Sequence, residues 1–183
     1  MKLGLGRSEA IAVGFTVISL SSAVYISVIA INYLAYFPAL AQIDSRVTNV
    51  AFLDGSDGPR FSTKVTVENP GDYSGFTVGD LSLKVFLEHG NASAIGSFNE
   101  TLFADQPLTG VLRVNTDLAP RSQTVISIIL SLNQQESAAF SSFDQKYHGN
   151  IFVHSFLTVD VITFLFAATG ATVLNPVQDL PLS

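Results

Sequence analysis

Phe61 to Glu68 reads FSTKVTVE, with Phe61, Thr63, Val65 and Val67 alternating against Ser62, Lys64, Thr66 and Glu68. A period of two sends successive side chains to opposite faces, so this stretch is a strand with one buried and one wet face. Asn69-Pro70-Gly71-Asp72 ends it, because proline has no N–H for a ladder and glycine admits positive φ. The residue before a proline is held extended. The Asn69 side-chain amide is then placed to bond nearby backbone and set the turn, which is a role in the fold.

The same alternation recurs on both sides. Val47 to Leu53 reads as a first strand, closed by the turn-rich run Asp54-Gly55-Ser56-Asp57-Gly58-Pro59. Leu81 to Leu87 sets Leu81, Leu83, Val85 and Leu87 on one face, and Glu88-His89-Gly90-Asn91 turns the chain. Ala94 to Phe103 is a weaker strand, Val111 to Leu118 is ambiguous, and Gln123 to Leu132 is a clear strand. Asn133 with Glu136 matches a capping box, and Ala139, Phe140 and Phe143 follow at helical spacing, so one short helix is expected before His148-Gly149. Ile151 to Thr158 and Val161 to Leu174 read as two closing strands. The second has 14 apolar-rich residues beside Asp160, too few for a membrane span.

Upstream the pattern changes completely. Ile11 to Gln42 carries no charged side chain and exceeds the roughly 20 apolar residues that cross a bilayer core. A cleavable signal has a shorter apolar core, about 7–15 residues, so an uncleaved anchor is favoured over a cut after Ala41. Asn32, Tyr33, Tyr36 and Phe37 fall where the helix meets the outer interface, and Pro38 is expected to kink or end it. Ile11 to Ile31 is the embedded part. Ala12, Thr16, Ser19, Ala23, Ser27 and Ala30 form a small-residue stripe along it, suited to a helix–helix contact with a protein partner or a second copy.

The division expected is therefore a short cytoplasmic end (1–10), a transmembrane helix with its outer extension (11–42) and an extracytoplasmic β domain (43–183). From Ile43 onward there are seven Lys/Arg against fourteen Asp/Glu, a net charge of −7 with His neutral. Lys2 and Arg7 at the short end orient it inward by the positive-inside rule. An acidic domain argues against nucleic acid as partner. The chain has no cysteine, hence no disulfide, thiolate site or thiol nucleophile.

Val65 to Tyr73 (VTVENPGDY) and Val78 to Phe86 (VGDLSLKVF) resemble the WHy domain of the second class of late-embryogenesis-abundant proteins. Ala94-Ile95-Gly96-Ser97 and Leu118-Ala119-Pro120-Arg121-Ser122 extend the likeness over roughly Val47 to Leu174. The Asn69-Pro70 element is its specific part. The apolar final strand and the lack of clear glycines after Ile151 depart from the pattern. The resemblance implies an immunoglobulin-like or fibronectin-III-like antiparallel β-sandwich of about seven strands with one short helix, here behind a single membrane helix. It also implies stress-protective or surface roles without catalysis. The strand count and turn spacing independently suit a sandwich.

The chemistry-bearing residues are sparse. His89, His148 and His154 with Asp160 lack the short spacings of a zinc site, and no G-x-S-x-G elbow or phosphate loop occurs. Asp54-Gly55-Ser56-Asp57-Gly58 lacks EF-hand spacing and reads as a solvated turn. No cofactor, metal or enzymatic activity is expected. Asn91-Ala92-Ser93 and Asn99-Glu100-Thr101 are both glycosylation acceptor tripeptides on the translocated side.

The reading is a membrane-anchored surface domain with a structural or protein-interaction role. Two alternatives stand. One is a subunit like archaeal type IV pilins or the sandwich-headed stator of the archaellum, processed near Gly6-Arg7-Ser8-Glu9 and packed through its apolar helix. The other is a small-ligand or lipid binder with a cavity between sheets.

Overall fold

The computed structural model describes residues 6–56, 58–90, 98–164, 168–174 and 178–183. Helix α1 spans Arg7–Leu40. It starts four residues before the apolar run because the Gly6 N–H is captured by Glu9 Oε2 at 2.9 Å, and a carboxylate in the first turn suits the positive end of the helix. Every side chain from Arg7 to Val28 is exposed. The helix is long and apolar enough to cross a membrane. Pro38 lies inside the last turn rather than at its end. Ala41, Gln42 and Ile43 then donate to the carbonyls of Phe37, Ala39 and Leu40 at 3.1–3.2 Å, which carries the chain directly into a strand at Asp44.

Nine strands and a second helix follow among the described residues: β1 (Asp44–Gly55), β2 (Gly58–Asn69), β3 (Phe76–Gly90), β4 (Phe98–Leu102), β5 (Leu108–Leu118), β6 (Ser122–Ser131), α2 (Gln134–Tyr147), β7 (Ile151–Phe164), β8 (Ala168–Leu174) and β9 (Gln178–Pro181). All pair antiparallel, in a three-stranded sheet ordered β1-β2-β6 and a six-stranded sheet centred on β3 and β7. β4 and β5 flank β3, while β8 and β9 flank β7.

The alternating faces meet in one hydrophobic core, which joins Val50, Phe61, Val65 and Ile128 of the small sheet to Val78, Leu83, Val85 and Val159 of the large one. Gly110 of β5 allows the closest approach. A Cβ there would stand 2.5 Å from Leu130 Cδ2 and 2.8 Å from Ile128 Cγ2 on β6. Along the other side, Ser183 bonds Val50 and Phe52 of β1 (3.1 and 3.2 Å), and the Leu182 N–H bonds the Ile151 carbonyl of β7 at 3.0 Å. The last residues thus stitch the two sheets together.

Nine strands replace the expected seven or so, and the difference lies at the C-terminal end. Ile151–Phe164 is one strand, unbroken at Asp160. Ile151, Val153, Ser155, Leu157, Val159, Val161 and Thr163 are buried, which puts Asp160 on the outer face where its charge costs little. The stretch read as part of the last strand instead turns back as β8 on β7. Val111–Leu118, ambiguous from its sequence, belongs to a full strand that starts at Leu108. α2 forms where expected, with Asn133 Oδ1 accepting from the Glu136 N–H (2.9 Å) and Glu136 Oε2 accepting from the Asn133 N–H (2.7 Å).

Candidate functional site

The strands run between two poles. At one, Asn69 pairs with Ser122, Phe76 with Leu118 and Thr163, and β1 begins. The last turns of α1 are seated there. Tyr36 is 5% exposed although the helix before it is bare. Its ring meets Tyr73 (centroids 5.5 Å) and Phe76 (5.7 Å), which pack on each other at 4.6 Å. Ala39 sits over Gly71, where a Cβ would come within 3.1 Å of the Ala39 Cβ. Any larger residue at 71 would push the helix away.

Asn69 holds this seat together. It is fully buried. Its Nδ2 donates to the carbonyls of Tyr73 (3.1 Å) and Ala119 (3.2 Å), and its Oδ1 accepts from the Gly71 N–H (3.1 Å). One side chain therefore ties its own loop to the β5–β6 connection. The Arg121 N–H adds a bond to the Gly71 carbonyl at 3.0 Å, and the Tyr73 hydroxyl meets Thr163 Oγ1 at 2.7 Å. Arg121 takes a left-handed φ of 50° to make this crossing. Hydrogen bonding to Asp72 holds its guanidinium above the usual pKa, with Nε 2.6 Å from the carboxylate. That pair is exposed and adds little stability.

This arrangement is built of hydrogen bonds to backbone, ring contacts and close fit. What it does physically is fix the direction in which α1 leaves the domain.

The other sequence-derived residues fall elsewhere. Ala12, Thr16, Ser19, Ala23, Ser27 and Ala30 are exposed on α1. The Thr16 and Ser27 hydroxyls donate back to the carbonyls of Ala12 and Ala23 at 2.9 and 2.8 Å, so their polarity is satisfied within the helix. Asn99 lies on β4, while Asn91 lies outside the described residues, as does Asp57 of the acidic turn.

The histidines go to separate partners. His89 stacks on Tyr147 (3.9 Å), His148 Nδ1 is 3.2 Å from Asp144, and His154 Nδ1 is 3.6 Å from Glu88. Near the first of these, Tyr147 and Lys146 both bond Glu100 and hold its carboxyl below the usual range. Among the described residues no group of three such side chains is placed to hold a metal ion. An open groove of about 320 Å³ lies beside α2, lined by Phe52, Phe140, Asp144, His148, Ile151 and Ser183.

Reading the sequence alone assigned Tyr36 to an interfacial aromatic belt and missed its seat.

No protein-family model matches the chain, and no curated protein matches it in sequence. Its fold is similar to a putative ApaA protein from Bordetella pertussis (TM-score 0.42, 11% identity, 77% of this chain and 94% of that one). It is also similar to a protein from Archaeoglobus fulgidus (0.40, 8%, 76% and 94%) and to AT1g01470 from Arabidopsis thaliana (0.39, 11%, 76% and 82%). At TM-scores below 0.5 these likenesses carry no argument about what the chain does.

Proposed function

We propose that this chain is a single-pass membrane protein whose extracytoplasmic WHy-like domain, an immunoglobulin-like β-sandwich, has a structural or protein-interaction role at the cell surface. The observation that carries this is the seat of α1. A helix bare from Arg7 to Val28 ends with Tyr36 and Ala39 buried in the Asn69–Phe76 loop, so the apolar segment and the domain form one body. With Ile11–Ile31 in hydrocarbon, Tyr36 stands five residues on, about 7.5 Å, at the outer limit of the headgroup layer. The domain then rests on the bilayer at a set angle. A surface that must be presented to a partner in one orientation has use for such a mount.

One observation favours the second reading, a pilin-like or stator-like subunit. α1 is a continuous 34-residue helix entering its head domain without a break, and it starts at Arg7, within the Gly6-Arg7-Ser8-Glu9 segment. Extraction of the full-length protein from its own membrane in mild detergent, with native mass and N-terminal sequencing on one sample, separates the two. An intact N-terminus in a monomer or a defined complex supports the anchor. A large assembly lacking the first residues overturns it.

A further inference from the structure

β6 is an open edge. Among the described residues β2 is the only strand paired with it, and Ser122–Ser131 contains no charge, proline or bulge. Native sheets protect their edges with such features, and the other long edges here have them. β1 carries Asp44, Arg46 and Asp54, breaks register between Val47 and Asn49, and is covered at Val50 and Phe52 by Ser183. β5 carries Arg113 and Asp117, with Asn115 at a φ of 49°. β8 is uncharged but only seven residues long, with Gly170 inside it.

The direction of the open groups can be worked out. The Leu132 N–H bonds the Pro59 carbonyl at 3.1 Å, which places the β2 bonds on the even-numbered residues. Gln123, Val125, Ser127, Ile129 and Ser131 therefore aim their N–H and C=O groups at the free edge. The same five side chains are exposed, Val125 at 58% and Ile129 at 49%.

We propose that two copies of the chain pair through this edge, antiparallel about Ser127. The sequence is complementary to itself in that register. Ser127 meets its counterpart, Val125 meets Ile129, and Gln123 meets Ser131, with no like charges opposed and the apolar pair on one face. The product is a continuous six-stranded sheet with β1 at both ends. Ser122 lies at the pole that seats α1 and Ser131 at the other. Antiparallel pairing then sends the two helices out of opposite ends, so it joins copies held in facing membranes. This last consequence rests on the anchor reading above; the strand pairing does not.

The chain has no cysteine, so single introduced thiols are unique. Full-length Val125→Cys and Ile129→Cys, separately tagged and mixed in detergent, are expected to couple to each other through a short thiol cross-linker, with neither coupling to itself. Ile129→Lys is expected to abolish the product while leaving the circular dichroism spectrum unchanged. Self-coupling of Val125→Cys would mean parallel pairing and overturns the proposal. So does the absence of any coupling, the result expected if the edge serves a strand of another protein. Vesicles carrying the two variants separately are expected to cluster and couple. Coupling in detergent without vesicle clustering would overturn the upright anchor and leave the strand pairing standing.

Discussion

The two poles of the β domain are closed by different physics. At the far pole, α2 lays Phe140 against Phe52 (4.5 Å) and Phe61 (5.1 Å), an apolar lid whose polar contacts, such as Lys146 with Glu100, are exposed. At the near pole a buried amide with hydrogen bonds of 3.1, 3.2 and 3.1 Å sets the loop on which α1 rests. Apolar burial is non-directional and tolerates small shifts. Hydrogen bonds to a buried amide are directional and costly to leave unmade. The far pole therefore supplies stability, and the near pole supplies orientation.

The strongest way to break this contrast is Asn69→Asp. It swaps the Nδ2 donor for a carboxylate oxygen facing the Tyr73 and Ala119 carbonyls, and an uncompensated buried charge costs about 3–5 kcal/mol. A carboxyl in that site has a folded pKa above its unfolded value. The loss is therefore full only above the folded pKa and recovers as pH falls through it toward the unfolded one. Denaturant unfolding of the full-length chain in detergent at two pH values checks both size and sign.

Phe140→Ala should come next, at about 3–4 kcal/mol for the cavity left in a ring cluster. It should leave the α1 seat intact, read as unchanged protease resistance at Ala41–Ile43. If that segment became cleavable, the poles would not be independent. Tyr36→Ala is expected to do the reverse. It removes an aromatic group from the seat at about 2–3 kcal/mol of docking, opening Ala41–Ile43 to protease while the unfolding midpoint of the strands barely moves.

Asn133→Ala, which deletes the α2 cap, should cost about 1 kcal/mol, seen in the same unfolding curves. The smallest effect is expected from Glu100, whose carboxyl is held low first by the Tyr147 hydrogen bond and then by Lys146. Its contribution is present above the unfolded carboxylate pKa and disappears as pH falls through the lower folded value. Glu100→Gln should flatten that part of the pH–stability profile.

Where the side chains alternate, the sequence could be read directly. Leu81–Leu87 and Gln123–Leu132 carry period two because each has one face in the core, Phe61–Glu68 does so although Thr66 on its other face is also buried, and the Asn133–Glu136 box announces α2 because capping is local. Asn69 was legible in kind, as an amide bonding backbone after a strand. Its partners at Ala119 were not, since they come 50 residues later and depend on how two strands pair. Val111–Leu118 was ambiguous because, of its residues, Leu118 alone is buried and the inward positions Leu112, Val114 and Thr116 are only half-buried, which leaves little apolar contrast to read. Asp160 looked like a break only while the outer face of β7 was unknown. Tyr36 carries no mark of its own, because an interfacial tyrosine and a docked one have the same neighbours in sequence.

The three bonded residues between Leu40 and Asp44 leave no hinge between α1 and the strands. A strand of 12 residues reaches roughly 40 Å, so with α1 anchored as proposed above the far pole is the tip of a lever whose other arm lies in the lipid. A change in helix tilt of about 20°, within the range hydrophobic mismatch produces, would carry that tip sideways by roughly 14 Å. A protein mounted in this way would register the thickness of its bilayer as a displacement of its outermost surface.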